Sequence, residues 1–207
     1  MNRNQKVAGA ASLAALAYVL GLAPASIPFP LLPFLRFDLA EVPDVLAFLI
    51  FGWKYGIVTA LAHWYALVIT AQSGFAPPPI PQLMKLAAVL SMMLGVYAGL
   101  KVSRKLGIGR LLVTTGFAMA ARAIVMTPIT FVLYYFLLPS VYLPFGRKVL
   151  SAAGYFAETD IAVALTISGL TAVFNMLSSA IIVPASFSAE KAMRKALGPR
   201  LQTPQKI

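Results

Sequence analysis

Four long stretches without Asp, Glu, Lys or Arg constrain the fold of this chain more than any other feature. They cover residues 7–35, 55–84, 123–146 and 161–189. A transmembrane helix needs about 20 predominantly apolar residues, and each of these stretches is longer than that. Because lipid offers the backbone no hydrogen-bond partners, such stretches cross a membrane as helices. The pattern therefore predicts an all-α membrane protein.

Turn residues between the apolar segments predict six transmembrane helices. We expect them at about residues 7–23, from a cap at Asp38 to Trp53, and at 55–72, 82–101, 111–138 and 160–184. Proline-rich segments predict the first outer loops, and residues 139–157 are expected to form a further outer loop. We predict one transmembrane domain over residues 1–189. A basic tail over residues 190–207 is expected to hold a short surface helix followed by disorder.

The distribution of charge predicts the orientation of the chain. Only 11% of the residues are charged, whereas a soluble domain usually carries about 25%. Lys and Arg cluster at residues 3–6, 101–110 and 191–206, which share one side of the membrane if six helices cross it. The positive-inside rule then places both termini in the cytoplasm. The net charge of +11 is accounted for in this way, without a nucleic-acid partner.

Motifs for catalysis and metal binding are mostly missing from the sequence. It has no G-x-x-x-x-G-K-[ST] phosphate loop, no H-E-x-x-H and no G-x-S-x-G. It has no cysteine and a single histidine, whereas a metal site needs several clustered ligands. We therefore predict no enzymatic activity, no metal site and no cofactor. The alternative is a small intramembrane enzyme that uses His63, Arg122 and the acidic residues of the first outer loop.

Three of the polar residues inside the predicted helices could have a role beyond packing. Asn175 is an amide deep in the last apolar stretch, where it needs a neighbouring helix or a bound solute as a partner. Arg122 is the only charge well inside a predicted helix, and it either snorkels or pairs structurally, or has a functional role. His63 is either a packed, hydrogen-bonded residue or one that contacts a ligand or titrates.

Three acidic residues, Asp38, Glu41 and Asp44, are spaced three apart where the second helix should begin. This spacing places them near one face of its opening turns. Either they cap the helix and form a solvated edge, or they fix the shape of a loop that folds over a solute. The sequence alone leaves both interpretations open.

The first helix is rich in small residues that allow another helix to approach closely. Ala10 and Ala14 are one turn apart, and so are Ala11 and Ala15. Such a face packs either within the chain or against a separate membrane subunit.

Several segments, in the same order along the chain, resemble the substrate-binding S components of energy-coupling factor (ECF) vitamin transporters, and the riboflavin S components in particular. Residues 37–43, followed by Phe51, Gly52 and Gly56, resemble the pattern F-[DS]-x-[SA]-[DE]-[VI]-P…G-P-x-x-G. Residues 27–30 resemble the proline-rich segment before it. Met126, Leu138-Pro139 and Tyr142 resemble the fifth helix and its exit, and residues 174–177 resemble F-N-[ML]-[IL]-K-G of the sixth.

The resemblance implies an S-component-like bundle with six transmembrane helices and both termini in the cytoplasm. It implies a protein that binds a vitamin from outside with high affinity and that has no ATPase of its own. Its partners would be a membrane scaffold subunit and two cytoplasmic ATPases. The scaffold would contact the alanine face of the first helix, at Ala10 and Ala14 or at Ala11 and Ala15.

The resemblance also implies which residues bind the ligand, with riboflavin or a related flavin as the leading candidate. The expected ligand-binding residues are Phe37, Asp38, Leu39, Ala40, Tyr97, Thr130, Tyr134, Phe174, Asn175 and Ser178. The sequence departs from the riboflavin proteins at several polar positions. Thr130 stands where they have an asparagine, and Ser178 stands where they have a lysine. Either the flavin is held differently or the ligand is another flat, vitamin-like solute.

Overall fold

The computed structural model describes residues 1–22, 26–70, 78–107 and 109–197. Helices account for most of these residues. They are α1 (Arg3–Leu22), α2 (Val42–Phe51), α3 (Trp53–Ile69), α4 (Ile80–Leu106), α5 (Arg110–Val132), α6 (Pro139–Ala152) and α7 (Asp160–Leu197). Two short strands, β1 (Ile27–Phe29) and β2 (Leu32–Phe37), lie between α1 and α2.

The six predicted helices correspond to α1 to α5 and α7, but they differ in length. Among the described residues, four helical segments are long and apolar enough to cross a membrane: Arg3–Leu22, Ile80–Leu106, Arg110–Leu137 and Asp160–Ala196. Helices α2 and α3 are shorter, with 10 and 17 residues. The prediction of several membrane-spanning helices is confirmed, while the count of six and the cytoplasmic location of the termini remain predictions. The expected end of the third helix, near Gln72, lies outside the described residues.

The proline-rich segment before α2 contains an antiparallel two-stranded ribbon that the sequence analysis did not predict. Ile27 pairs with Phe37 and Pro28 with Arg36. Proline cannot donate to a ladder, but a two-stranded ribbon has two open edges that tolerate it. The predicted cap at Asp38 is wrong, because α2 begins later and its N-cap residue is Glu41. Asp38 instead accepts a hydrogen bond from the backbone N–H of Ala40 at 2.9 Å.

Helices α4 and α5 pack most closely at two glycines. A Cβ added at Gly95 would collide with the backbone of Phe117 and Ala118, and one added at Gly99 would meet the backbone of Thr114. Only glycine lets two helix backbones approach this closely. Val96 and Leu100 from α4 and Ala118 from α5 extend the contact into a buried apolar cluster with α2, α3 and α7.

The C-terminal end of α5 changes its winding. Pro128 lies inside the helix and has no N–H to donate to the carbonyl one turn earlier. After Val132 the chain continues as a π-helical turn at Leu133–Leu137. Wider turns of this kind are frequent at functional sites. Here the turn contains Leu133 and Tyr134, both of which are buried.

Residues 139–157 do not form the predicted loop, since most of them belong to α6. Pro139 occupies the first helical position, where its missing N–H costs nothing. Tyr142, Leu143, Gly146 and Leu150 are buried at helical spacing, which is the pattern of an amphipathic helix packed on a core. The same spacing was visible in the sequence.

Helix α7 runs past the predicted end at Pro184 without a break. Proline is tolerated inside long membrane helices because neighbouring groups satisfy the freed backbone atoms. The helix continues through Glu190 to Leu197, so the predicted boundary between the domain and the tail falls inside a helix. Residues 198–207 of the predicted tail lie outside the described residues.

The two alanine pairs of α1 point in different directions. Ala10 and Ala14 are buried against the rest of the chain, and Thr59 of α3 donates a hydrogen bond to the Ala10 carbonyl at 3.4 Å. Ala11 and Ala15 are exposed. Of the two pairs left open by the sequence, only Ala11 and Ala15 present a small-residue surface outside the bundle.

Candidate solute-binding site

A cavity of about 320 Å³ lies between the β-ribbon, α4, α5, the π-helical turn, α6 and α7. Most of its wall is apolar, and a few polar side chains interrupt it. Its lining residues are Phe34, Leu35, Arg36, Asp38, Glu41, Pro81, Met84, Lys85, Ala88, Arg122, Met126, Thr130, Leu133, Tyr134, Tyr142, Thr171, Phe174 and Asn175. An apolar hollow of this size with a few convergent polar groups is the usual form of a small-molecule site.

The three acidic residues at the start of α2 each pair with a basic residue from a different helix. Asp38 accepts from Lys85 of α4 at 2.9 Å, and Asp44 pairs with His63 of α3 at 2.9 Å. Glu41 pairs with Arg122 of α5. Of the two interpretations left open by the sequence, the solvated edge is therefore wrong for Glu41 and Asp44, which are buried. Asp38 and Glu41 thus tie the β2–α2 connection to α4 and α5, and Asp44 ties the first turn of α2 to α3.

Arg122 lies at the centre of a buried network. Its Nη2 donates to Glu41 Oε1 at 3.0 Å, and its Nη1 donates to Glu41 Oε2. Its Nε donates to Asn175 Oδ1 at 2.8 Å. With only 3% of its surface exposed, Arg122 does not snorkel, and the bidentate carboxylate satisfies the need of a buried charge for an internal partner. The structure thus shows the internal pairing that the sequence analysis left open.

The same network fixes the orientation of the Asn175 amide. Its Oδ1 accepts from Arg122, and its Nδ2 donates to the Thr171 carbonyl at 2.9 Å. Amide nitrogen and oxygen are distinguished by their partners, and an arginine can bond only to the oxygen. Asn175 lines the cavity, and the second N–H of its Nδ2 remains available to donate a hydrogen bond to a ligand.

Two hydroxyl groups on the cavity wall have no hydrogen-bond partner in the described part of the chain. They are Thr130 Oγ1 and the phenol of Tyr134, and both residues are buried. A buried polar group left unpaired costs about 1–3 kcal/mol. Because both groups line the cavity, a ligand inside it can provide the missing hydrogen bonds.

Aromatic side chains form one end of the cavity. The ring of Phe174 packs against Phe37, with centroids 4.8 Å apart, and against Phe29 at 5.7 Å. The β-ribbon thereby holds the Phe174 ring in place from behind, and this ring offers a flat surface to a planar solute. Tyr142 of α6 lines the cavity, and burial raises the pKa of its phenol above the ordinary value. Its hydroxyl therefore keeps its proton at neutral pH.

The structure brings half of the predicted ligand-binding residues to the cavity wall. These are Asp38, Thr130, Tyr134, Phe174 and Asn175. The others lie elsewhere, and whether any of the ten binds a ligand remains a prediction. Phe37 supports Phe174 from behind, Leu39 is exposed, and Ala40 and Ser178 are buried away from the cavity. Tyr97 packs into the core cluster, with the Lys101 ammonium 4.5 Å above its ring.

Several polar residues of the wall were missed by sequence reasoning as site residues. They are Arg36, Glu41, Lys85, Arg122 and Thr171. The sequence did contain one signal for this pairing. Arg122 is a charge inside a predicted membrane helix and needs an acidic partner, and Glu41 is one of only six acidic residues in the chain. Lys85 pairs with Asp38 and lines the cavity.

His63 lies in a second, much smaller hollow of about 10 Å³ beside α3. Its Nδ1 bonds to Asp44 and its side chain is 4% exposed. This is the packed, hydrogen-bonded histidine that was one of the two sequence interpretations. Glu41 and Lys85 line both hollows, so these two residues lie between the hollow of His63 and the cavity.

Comparison with known proteins supports a fold assignment. No protein-family model matches the chain. No curated protein matches it either. The structure is similar to that of the S component of a bacterial ECF transporter, with a TM-score of 0.64 and 24% sequence identity. The likeness covers 95% of this chain and 99% of the S component.

A likeness at this level of identity establishes the fold of the chain. Together with the four long apolar helices, it identifies a multi-pass membrane protein with the fold of an ECF S component. The S-component-like bundle expected from the resemblance is therefore confirmed as a fold.

Proposed function

We propose that this chain is the solute-binding subunit of an ECF-type importer. The observation that carries the proposal is a cavity of about 320 Å³, in an S-component fold, with unpaired hydroxyls on Thr130 and Tyr134. Unpaired buried groups are costly unless a ligand uses them. We assign no catalytic step to the chain, because His63 and Arg122 are both engaged by buried carboxylates.

Riboflavin or a related flavin is the ligand that we propose. The Phe174 ring, the apolar wall and the hydroxyls of Thr130 and Tyr134 suit a flat heterocycle with polar edges. The free N–H of Asn175 suits a ring carbonyl or ring nitrogen. Because Thr130 and Ser178 replace polar residues of the riboflavin proteins, another flat vitamin is the alternative.

The proposed partners are a membrane scaffold subunit and two cytoplasmic ATPases. The surface that we propose for the scaffold is the exposed alanine face of α1, at Ala11 and Ala15. Small residues on an exposed helix face permit a close helix–helix contact in the membrane. Ala10 and Ala14 are not available for this contact, because they are buried within the chain.

Calorimetric titration of the purified protein with riboflavin tests the proposed ligand. We expect binding below the micromolar range, and Asn175→Ala should weaken it at least about tenfold, because a ligand acceptor loses its donor. Ser168→Ala is the matched control, because Ser168 is a buried polar residue of α7 that does not line the cavity. If the wild-type protein binds no flavin, riboflavin is excluded as the ligand.

A vitamin panel then distinguishes a wrong ligand from a wrong class of protein. A solute that binds only the folded protein raises its melting temperature. Stabilisation by another flat vitamin would keep the importer proposal and change the ligand. If no panel member stabilised the protein and no scaffold subunit co-purified with it, the importer proposal would be contradicted.

A further inference from the structure

The charges that line the cavity are arranged in a way that predicts which solutes it accepts. Three cations line it, Arg36, Lys85 and Arg122, together with two carboxylates, Asp38 and Glu41. Glu41 holds the guanidinium of Arg122 through two hydrogen bonds, and Asp38 holds the ammonium of Lys85 at 2.9 Å. Each cation in the interior of the cavity is therefore neutralised by a carboxylate of the protein.

Arg36 differs from the other two cations, because it is exposed. Its Nη2 donates to the Ser26 carbonyl at 3.3 Å, and within the described ranges it forms no ion pair. A charge that faces water is screened by solvent and salt, so it attracts an anion only weakly. The uncompensated positive charge of the cavity thus lies at its rim.

Glu41 occupies the side of the Arg122 guanidinium to which an anionic ligand would bind. A guanidinium binds carboxylates and phosphates in the same bidentate manner. Glu41 Oε1 and Oε2 occupy this fork, and the third direction, through Nε, is taken by Asn175. The protein has placed its own anion where an anionic ligand would otherwise bind.

We propose that Glu41 and Asp38 set the charge selectivity of the cavity, so that it accepts uncharged solutes and excludes phosphate monoesters. An anion that enters the interior loses its water and finds Lys85 and Arg122 already paired with carboxylates, which is unfavourable in a buried site. An uncharged heterocycle needs no counter-charge and can bond to the hydroxyls of Thr130 and Tyr134 and to the Asn175 amide. The proposal rests on the proposed function in that it treats this cavity as the solute site.

The experiment uses inorganic phosphate as the probe, so it does not depend on the identity of the vitamin. Wild type and Glu41→Gln are purified and their melting temperatures are measured across a phosphate series, with chloride at matched ionic strength. Glu41→Gln frees the Arg122 guanidinium, so its apparent Kd for phosphate should be at least about tenfold lower than that of wild type. Asp38→Asn, which frees the partly exposed Lys85, should act in the same direction with a smaller shift and serves if Glu41→Gln does not fold.

Glu190→Gln is the matched control. Glu190 is a buried acid that pairs with Arg110 and Arg194 and does not line the cavity. Its loss changes the net charge equally, and it should leave the phosphate response at the wild-type level.

Each outcome decides the proposal. A phosphate response confined to the Glu41 and Asp38 variants supports the proposal. It does so even if riboflavin does not bind, because failure of riboflavin to bind counts only against riboflavin as the ligand. Equal phosphate stabilisation of wild type and variants, or none in either variant, would overturn it. Equal wild-type affinity for riboflavin and flavin mononucleotide would also overturn it, because the site would then accept a phosphate monoester although Glu41 and Asp38 are in place.

Discussion

Helices α4 and α5 meet in different ways at the two ends of their contact. At one end, Gly95 and Gly99 bring the backbones together around Thr114, Phe117 and Ala118. At the other end, Met84, Lys85 and Ala88 of α4 and Met126 and Thr130 of α5 line the cavity. The same helix pair is closed where it has glycine and encloses a hollow where it has larger side chains.

The two ends also differ in the number of buried polar and charged groups that they contain. The cavity end contains the ion pairs of Glu41 with Arg122 and Asp38 with Lys85, and the unpaired hydroxyls of Thr130 and Tyr134. The closed end is mainly an apolar cluster whose members include Val96, Leu100 and Ala118, although the buried hydroxyl of Thr114 beside it also has no partner among the described residues. Apolar packing therefore dominates at one end and paired charges at the other, and the cavity lies at the second end.

The largest expected effect comes from breaking the charge pair at the cavity end. Arg122→Met leaves the Glu41 carboxylate buried without a partner, which should cost about 3–5 kcal/mol of unfolding free energy. The double variant Arg122→Met with Glu41→Met removes both charges and should be more stable than the single variant. Denaturation of the purified proteins in detergent measures both. A double variant no more stable than Arg122→Met would contradict the pairing.

A smaller loss is expected from a clash at the closed end. Gly95→Ala adds a Cβ that would collide with the backbone of Phe117 and Ala118, so the unfolding free energy should fall by about 1–3 kcal/mol. Gly116→Ala is the control on α5, where an added Cβ meets nothing within 4 Å. That variant should be stabilised by about 0.4–1 kcal/mol, through the reduced freedom of the unfolded chain. Equal effects at both positions would show that the close contact does not exist.

The smallest effect on stability, and the most informative for function, is expected at the unpaired hydroxyls. Thr130→Val and Tyr134→Phe remove groups that have no partner in the described protein, so stability should stay within about 1 kcal/mol of wild type or rise. Riboflavin affinity should fall at least about tenfold in each variant. Thr114→Val is the control, because Thr114 is also buried and unpaired on α5 but does not line the cavity. It should leave the affinity unchanged.

Hydropathy and turn residues predicted the positions of six helices, because uncharged stretches and prolines are local signals. Features that depend on distant partners were not predictable in this way. Glu41 and Arg122 are 81 positions apart in the chain, and no local pattern pairs them. The extension of α7 past Pro184 was missed because proline ends most helices in water but is tolerated where a helix is packed within a membrane bundle.

The candidate site was predicted in part, and for a physical reason. Thr130, Tyr134, Phe174 and Asn175 were expected from the resemblance to the S components, and they line one cavity. Leu39, Ala40, Tyr97 and Ser178 were expected to join them, but local geometry directs them elsewhere. Helix α6, which contributes Tyr142, was interpreted as a loop although its buried residues follow helical spacing.

The decisive measurement is a structure of the protein with riboflavin bound. We expect the isoalloxazine ring inside the cavity against Phe174, with ring acceptors or donors within hydrogen-bond distance of Asn175 Nδ2, Thr130 Oγ1 and the Tyr134 hydroxyl. The Arg122–Glu41 pair should remain intact beside it. A flavin bound elsewhere, or a saturated sample in which Thr130 and Tyr134 still have no partner, would contradict the proposed binding site.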